Sequence, residues 1–155
     1  MDQSDRRSPY LREGGRLADV MAAIQVMSSV TPESQTADDW TRKIGAHPSA
    51  GGWLHLCREH PEFFRVNDEK PPKISLRWRH GLERTHRFTP RQPPDAKEDL
   101  CRPPLEPGQI ETLMRTAVEM HSRAVAAAQE RRWIIPLLFA LGGVVLGAVL
   151  QALLR

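Results

Sequence analysis

From Trp133 to Leu154 the chain reads WIIPLLFALGGVVLGAVLQALL, twenty-two residues without a charge. As a helix such a run reaches about 33 Å, enough for a hydrocarbon core of about 30 Å. A lone segment crosses lipid only as a helix, because only there do its backbone groups pair internally. The run therefore predicts one transmembrane helix over 133–154. A buried core helix is the alternative, and the remainder of the chain is small for surrounding it. Arg131 and Arg132 stand immediately before the run, Arg115 and Arg123 lie within reach, and Arg155 alone follows it. That asymmetry predicts a tail-anchored, single-pass protein of the inner (plasma) membrane, its N-terminal domain in the cytoplasm and Trp133 at the headgroup level. Gly143 and Gly147 form a G-x-x-x-G, and Gln151 continues the same face one turn later. Small residues and a hydrogen-bonding amide let two such helices pair, which predicts a homo-oligomer. The competing reading is that glycine is common in membrane helices.

With that run set aside, a core must come from about 65 residues, which is marginal but sufficient. Cys57 and Cys101 lie far apart, without a C-x-x-C, and read as reduced thiols. Met1 to Arg12 lacks an apolar stretch, so no signal peptide is expected, and Asp2 excludes N-myristoylation. Residues 1–13 read as a disordered N-terminus.

In RLADVMAAIQVMS, residues 16–28, Leu17, Val20, Met21, Ile24 and Met27 recur at helical spacing. SSVTPESQ reads as a loop. Thr36 with Asp39 resembles a capping box opening a short helix through Trp40 and Ile44, which Gly45 ends. Ser49 is a candidate N-cap for a third helix that turns Trp53, Leu56 and Cys57 inward and stops before Pro61. Phe63, Phe64 and Val66 form a short apolar strand, and NDEKPP a turn. KISLRWR alternates, Ile74, Leu76 and Trp78 on one face against Lys73, Ser75, Arg77 and Arg79 on the other. Trp40, Trp53 and Trp78 are thus expected in one core cluster.

Three helices followed by a hairpin, with the run HPEFFRV…KISLRWR closing the third helix into a wing, resemble the winged-helix family. The resemblance covers residues 14–80. It implies an α+β fold in which the third helix either reads DNA or leaves the domain as a protein-binding module. RLADVMAAIQVM, HPEFFRV, SLRWRH and ERRW before an apolar tail are also similar to a family of small uncharacterised bacterial membrane proteins. That likeness implies a bacterial origin and no activity. The expected architecture is three helices plus a β-hairpin over 14–88, a proline-rich linker over 89–108, a helical stalk over 109–132 and one transmembrane helix. The linker holds Pro90, Pro93, Pro94, Pro103, Pro104 and Pro107 and reads as an extended spacer. In the stalk, Ile110, Leu113, Ala117, Met120, Ala124 and Ala127 follow heptad spacing. A coiled coil and a helix packed on the domain or lying on lipid are both compatible with it.

Charge is concentrated rather than spread. Residues 1–106 hold 17 basic and 16 acidic side chains, whereas residues 65–91 hold eight basic against three acidic. The candidate partner-binding surface is this basic wing: Arg65, Lys73, Arg77, Arg79, Arg84 and Arg87. Phosphates of nucleic acid, anionic lipid headgroups, an acidic protein, or plain solvation of a strand face all fit it. SAGGWLHLCREH, the third helix, offers only Arg58 as a strong donor and adds Glu59, which argues against reading of bases. His47, His55, Cys57 and His60 lack the spacing of a zinc site, so Cys57 is expected in the core and the histidines at the surface. Nucleophile-elbow, P-loop and H-E-x-x-H motifs do not occur, and no catalytic residue, metal or cofactor is expected. The expected function is a membrane-anchored cytoplasmic adaptor that binds an acidic protein or an anionic lipid surface through the wing. The alternatives are a membrane-tethered nucleic-acid-binding regulator and a membrane-acting effector that oligomerises through its tail.

Overall fold

The computed structural model describes residues 8–46, 51–87 and 100–153; beyond Glu130 it describes the helical backbone and the positions Gly143 and Gln151. The fold is α+β. A one-turn helix α1 (Pro9–Arg12) precedes α2 (Arg16–Ser29), β1 (Ser34–Thr36), α3 (Ala37–Ile44), α4 (Gly52–Glu59), β2 (Phe64–Val66) and β3 (Lys73–Leu76). A 3-10 turn (Trp78–Gly81), the short pair β4 (His86–Arg87) and β5 (Leu100–Cys101), and α5 (Pro107–Leu153) complete the described chain.

Local chemistry accounts for the first half. Val20, Ala23, Ile24 and Met27 form the buried stripe of α2. The capping box of α3 is complete: Thr36 Oγ1 accepts from the Asp39 N–H at 3.2 Å, and Asp39 Oδ2 accepts from the Thr36 N–H at 3.3 Å. Ser49 lies outside the described residues. The N-cap of α4 is Gly51, at φ +92°, where a Cβ would come within 2.6 Å of the His55 ring; only glycine fits that position.

Three antiparallel strands run in the order β1-β3-β2, with Ser34 and Arg65 both opposite Ser75. β1 falls where the sequence reads as loop. Phe64, Ile74 and Leu76 turn into the core with Trp40, Trp53, Leu56, Cys57 and the α2 stripe. Both buried indoles are satisfied: Trp40 donates to the Ile74 carbonyl at 3.1 Å and Trp53 to that of Gly45 at 2.9 Å. The alternation of KISLRWR stops at Leu76. The 3-10 turn then inverts the two faces, so that Trp78 is 41% exposed and Arg79 is wholly buried. Trp78 is therefore not part of the tryptophan core.

Residues 100–106 are not a free spacer. Pairing of His86 with Cys101 and Arg87 with Leu100 leads the chain back. The Leu105 N–H donates to the Ser28 carbonyl at 2.9 Å, and the Leu105 side chain enters the core. The first half of α5 packs on α2, burying Leu113 and Ala117 and half-burying Ile110, Met114, Met120 and Ala124. Of the two readings for 109–132, the described packing is that of a helix on the domain. Of the expected disordered segment 1–13, residues 1–7 lie outside the described residues, and residues 9–12 form α1, where Tyr10 is buried.

The membrane expectation is corrected. The run 133–154 is not a separate helix: through Leu153 it is the unbroken continuation of α5. The described side chains of α5 include the exposed ion pairs Glu111–Arg115 and Glu119–Arg123, one pair every two turns. Among the described residues no helix is long and apolar enough to cross a membrane. The transmembrane helix, the tail anchor and the single-pass inner-membrane placement are withdrawn on that finding. Arg131, Arg132 and Trp133, named for a membrane interface, and Gly147 have side-chain positions outside the described residues. Gly143 and Gln151 are exposed on α5.

Candidate functional site

The solvent face of the three-stranded sheet carries an open groove of about 260 Å³. Its floor is set by register. Ser34, Ser75 and Arg65 stand in one row across β1, β3 and β2, and residues two apart on a strand share a face, which adds Lys73. Glu33, Asn67, Glu69, His80, Arg84 and Arg102 complete the lining.

Glu33 is nearly buried and is held from two directions. Arg102 Nη1 donates to Glu33 Oε1 at 3.0 Å, and Arg84 Nε lies 3.9 Å from the same oxygen. Burial alone would raise the Glu33 carboxyl, but hydrogen bonds from its own backbone and from Arg102 outweigh that and hold it below its ordinary 4.5. A carboxyl held low in the folded state adds stability that is complete above its unfolded pKa and is lost as pH falls through the folded one. Glu33→Gln is therefore expected to lower stability at neutral pH and to flatten the acid limb below 4.5, as urea titrations at several pH values would measure.

The cations divide by role. Lys73 Nζ pairs with Glu69 at 2.8 Å, an exposed pair of small energetic value. Arg65 is exposed and makes no ion pair among the described residues, and Arg84 is 61% exposed. His80 sits among them, and its pKa is pushed below 6.5 by burial and then by the charges of Arg102, Arg65 and Arg84. The imidazole thus registers a positive field in the groove.

Of the six wing residues named from sequence, Arg65, Lys73 and Arg84 line the groove. Arg77 is exposed at the edge of the 3-10 turn. Arg87 lies in β4, its side chain outside the described residues. Arg79 belongs elsewhere. It donates to the carbonyls of Met27 (2.9 Å), Val30 (2.5 Å), Arg102 (2.6 Å) and Pro103 (3.1 Å). Helix α2 ends with no basic residue in its last turn, and the buried guanidinium supplies donors to its orphan carbonyls from outside the helix. A side chain so engaged faces no partner. The sequence does not single out Glu33, His80 and Arg102, because no local signal connects a loop, a 3-10 turn and a proline-rich segment as much as 69 residues apart.

Elsewhere, Cys57 is in the core, where burial pushes its thiol well above the ordinary range. His55 is exposed, but His60 is fully buried, its Nδ1 3.0 Å from Glu62 Oε1, and it is not a surface histidine. On α4, Arg58 is exposed beside Glu59, which is engaged with Arg12 at 2.5 Å and Arg16 at 2.9 Å.

No protein-family model, no curated protein and no solved structure matches the chain.

Proposed function

We propose that the chain is a protein-interaction module of winged-helix type whose sheet groove takes an acidic segment of a partner protein. The order helix, strand, helix, helix, strand, strand over 16–76 supports the winged-helix comparison. The observation that carries the function is the groove itself, where four permanent cations outnumber two carboxylates and Arg65 has no partner of its own among the described residues. Such a surface steers and orients an acidic segment more than it adds raw affinity. Duplex DNA is the weaker reading, because α4 presents Arg58 as its one strong donor and begins on Gly51 and Gly52.

The test is fluorescence anisotropy of the full chain with an Asp/Glu-rich peptide and with duplex DNA, each at low and moderate salt. Acidic-peptide binding is expected to weaken at least about tenfold in the Arg65→Glu/Arg84→Glu double variant. Both side chains are exposed, so folding is expected to be unchanged. No peptide binding at low salt, or DNA binding that alone responds to the double variant, would sink the reading.

A further inference from the structure

Resting on that reading, we propose that the groove seats a phosphomonoester, so that the partner's acidic segment is phosphorylated. The two carboxylates of the groove already have cations: Glu33 has Arg102, and Glu69 has Lys73. That leaves Arg65, without an ion-pair partner among the described residues, and Arg84, at the limit of ion-pair distance from a Glu33 oxygen that Arg102 already holds; both line the same groove. Together, one guanidinium without an ion pair among the described residues and one held only loosely match a dianion. A single carboxylate would leave one of them uncompensated, and the phosphodiester of a nucleic acid carries one charge per group.

The donor set fits as well. The row Ser34–Ser75–Arg65 offers two hydroxyls and a guanidinium side by side on one face of the sheet. Hydroxyl and guanidinium donors together serve a group with three terminal oxygens better than a planar carboxylate with two. His80, whose pKa is lowered by burial and by the surrounding arginines, reports the positive field that a dianion would neutralise.

The experiment uses the full chain and one acidic peptide in three forms, with serine, phosphoserine or glutamate at its centre, followed by calorimetry. The phosphoserine form is expected to bind at least about tenfold more tightly than either other form. Ser75→Ala and, separately, Arg65→Gln are expected to erase most of that increment while the serine form changes far less. Arg65 is exposed, so its variant remains informative if Ser75→Ala disturbs the sheet. Equal binding of the three forms would overturn the phosphate seat and leave the acidic-segment reading standing. Failure of all three to bind would overturn both. Binding of single-stranded or duplex nucleic acid as tight as that of the phosphopeptide would replace the monoester with a diester.

Discussion

Replacing Arg79 with methionine is expected to destabilise the domain by on the order of 3–5 kcal/mol, a larger effect than substitution of any exposed basic residue. Arg79 is wholly buried, and its guanidinium is the donor to four backbone carbonyls on two segments, the end of α2 and residues 102–103. Methionine fills much of the volume but donates nothing, and each buried carbonyl left without a donor costs about 1–3 kcal/mol before relaxation. The melting temperature should fall by on the order of 10–20 °C for a domain of this size. Arg79→Lys is expected to recover only part, since one ammonium cannot reproduce a planar fork aimed at carbonyls on two sides. Arg77→Met, two residues away and exposed, should stay within about 0.5 kcal/mol of the parent. Comparable melting of the Arg77 and Arg79 variants would refute the assignment of Arg79 to structure.

Leu113→Asp is the second large effect. Leu113 is 6% exposed on α5, in the core cluster that α5 shares with α2. A carboxylate placed there enters a cluster of apolar side chains, and burying it unpaired costs about 3 kcal/mol or more. Urea unfolding should show the loss across the whole domain, because the first half of α5 shares its core. Val118→Asp, five residues on and 42% exposed, is the matched control and should be nearly neutral. A silent Leu113→Asp would restore the view of 109–132 as a stalk standing clear of the domain.

These two residues mark where sequence reasoning stops. Local rules work where cause and effect lie within a few residues. The Thr36–Asp39 box, the α2 stripe and the inward face of α4 each depend on one or two helical turns, and each is legible directly. The period of two in KISLRWR is likewise real up to Leu76. It misleads beyond that point, because a 3-10 turn exchanges the faces and turns an apparent wing cation into a buried clamp. The prolines of 103–107 suggest a spacer, yet a single apolar residue among them, Leu105, is drawn into the core by a two-residue strand pair.

The groove is partly legible for the same reason. Arg65 and Lys73 sit on strands whose alternation shows their face, so the concentration of positive charge between 65 and 91 already identifies the basic surface. Which of its cations are committed depends on Glu33 and Arg102, supplied by a loop and a proline-rich return that only the fold brings together. The apolar run of 133–154 illustrates the opposite risk, since composition alone assigned it a separate role and the backbone through Leu153 continues it from α5 without a break. Short-range hydrogen bonding and side-chain periodicity are written in neighbouring residues, so the sequence alone determined the helices of 16–59 and the basic character of the hairpin. Burial and pairing are properties of distances between segments, so only the tertiary structure decided which arginine holds the fold together and which ones face solvent across the groove.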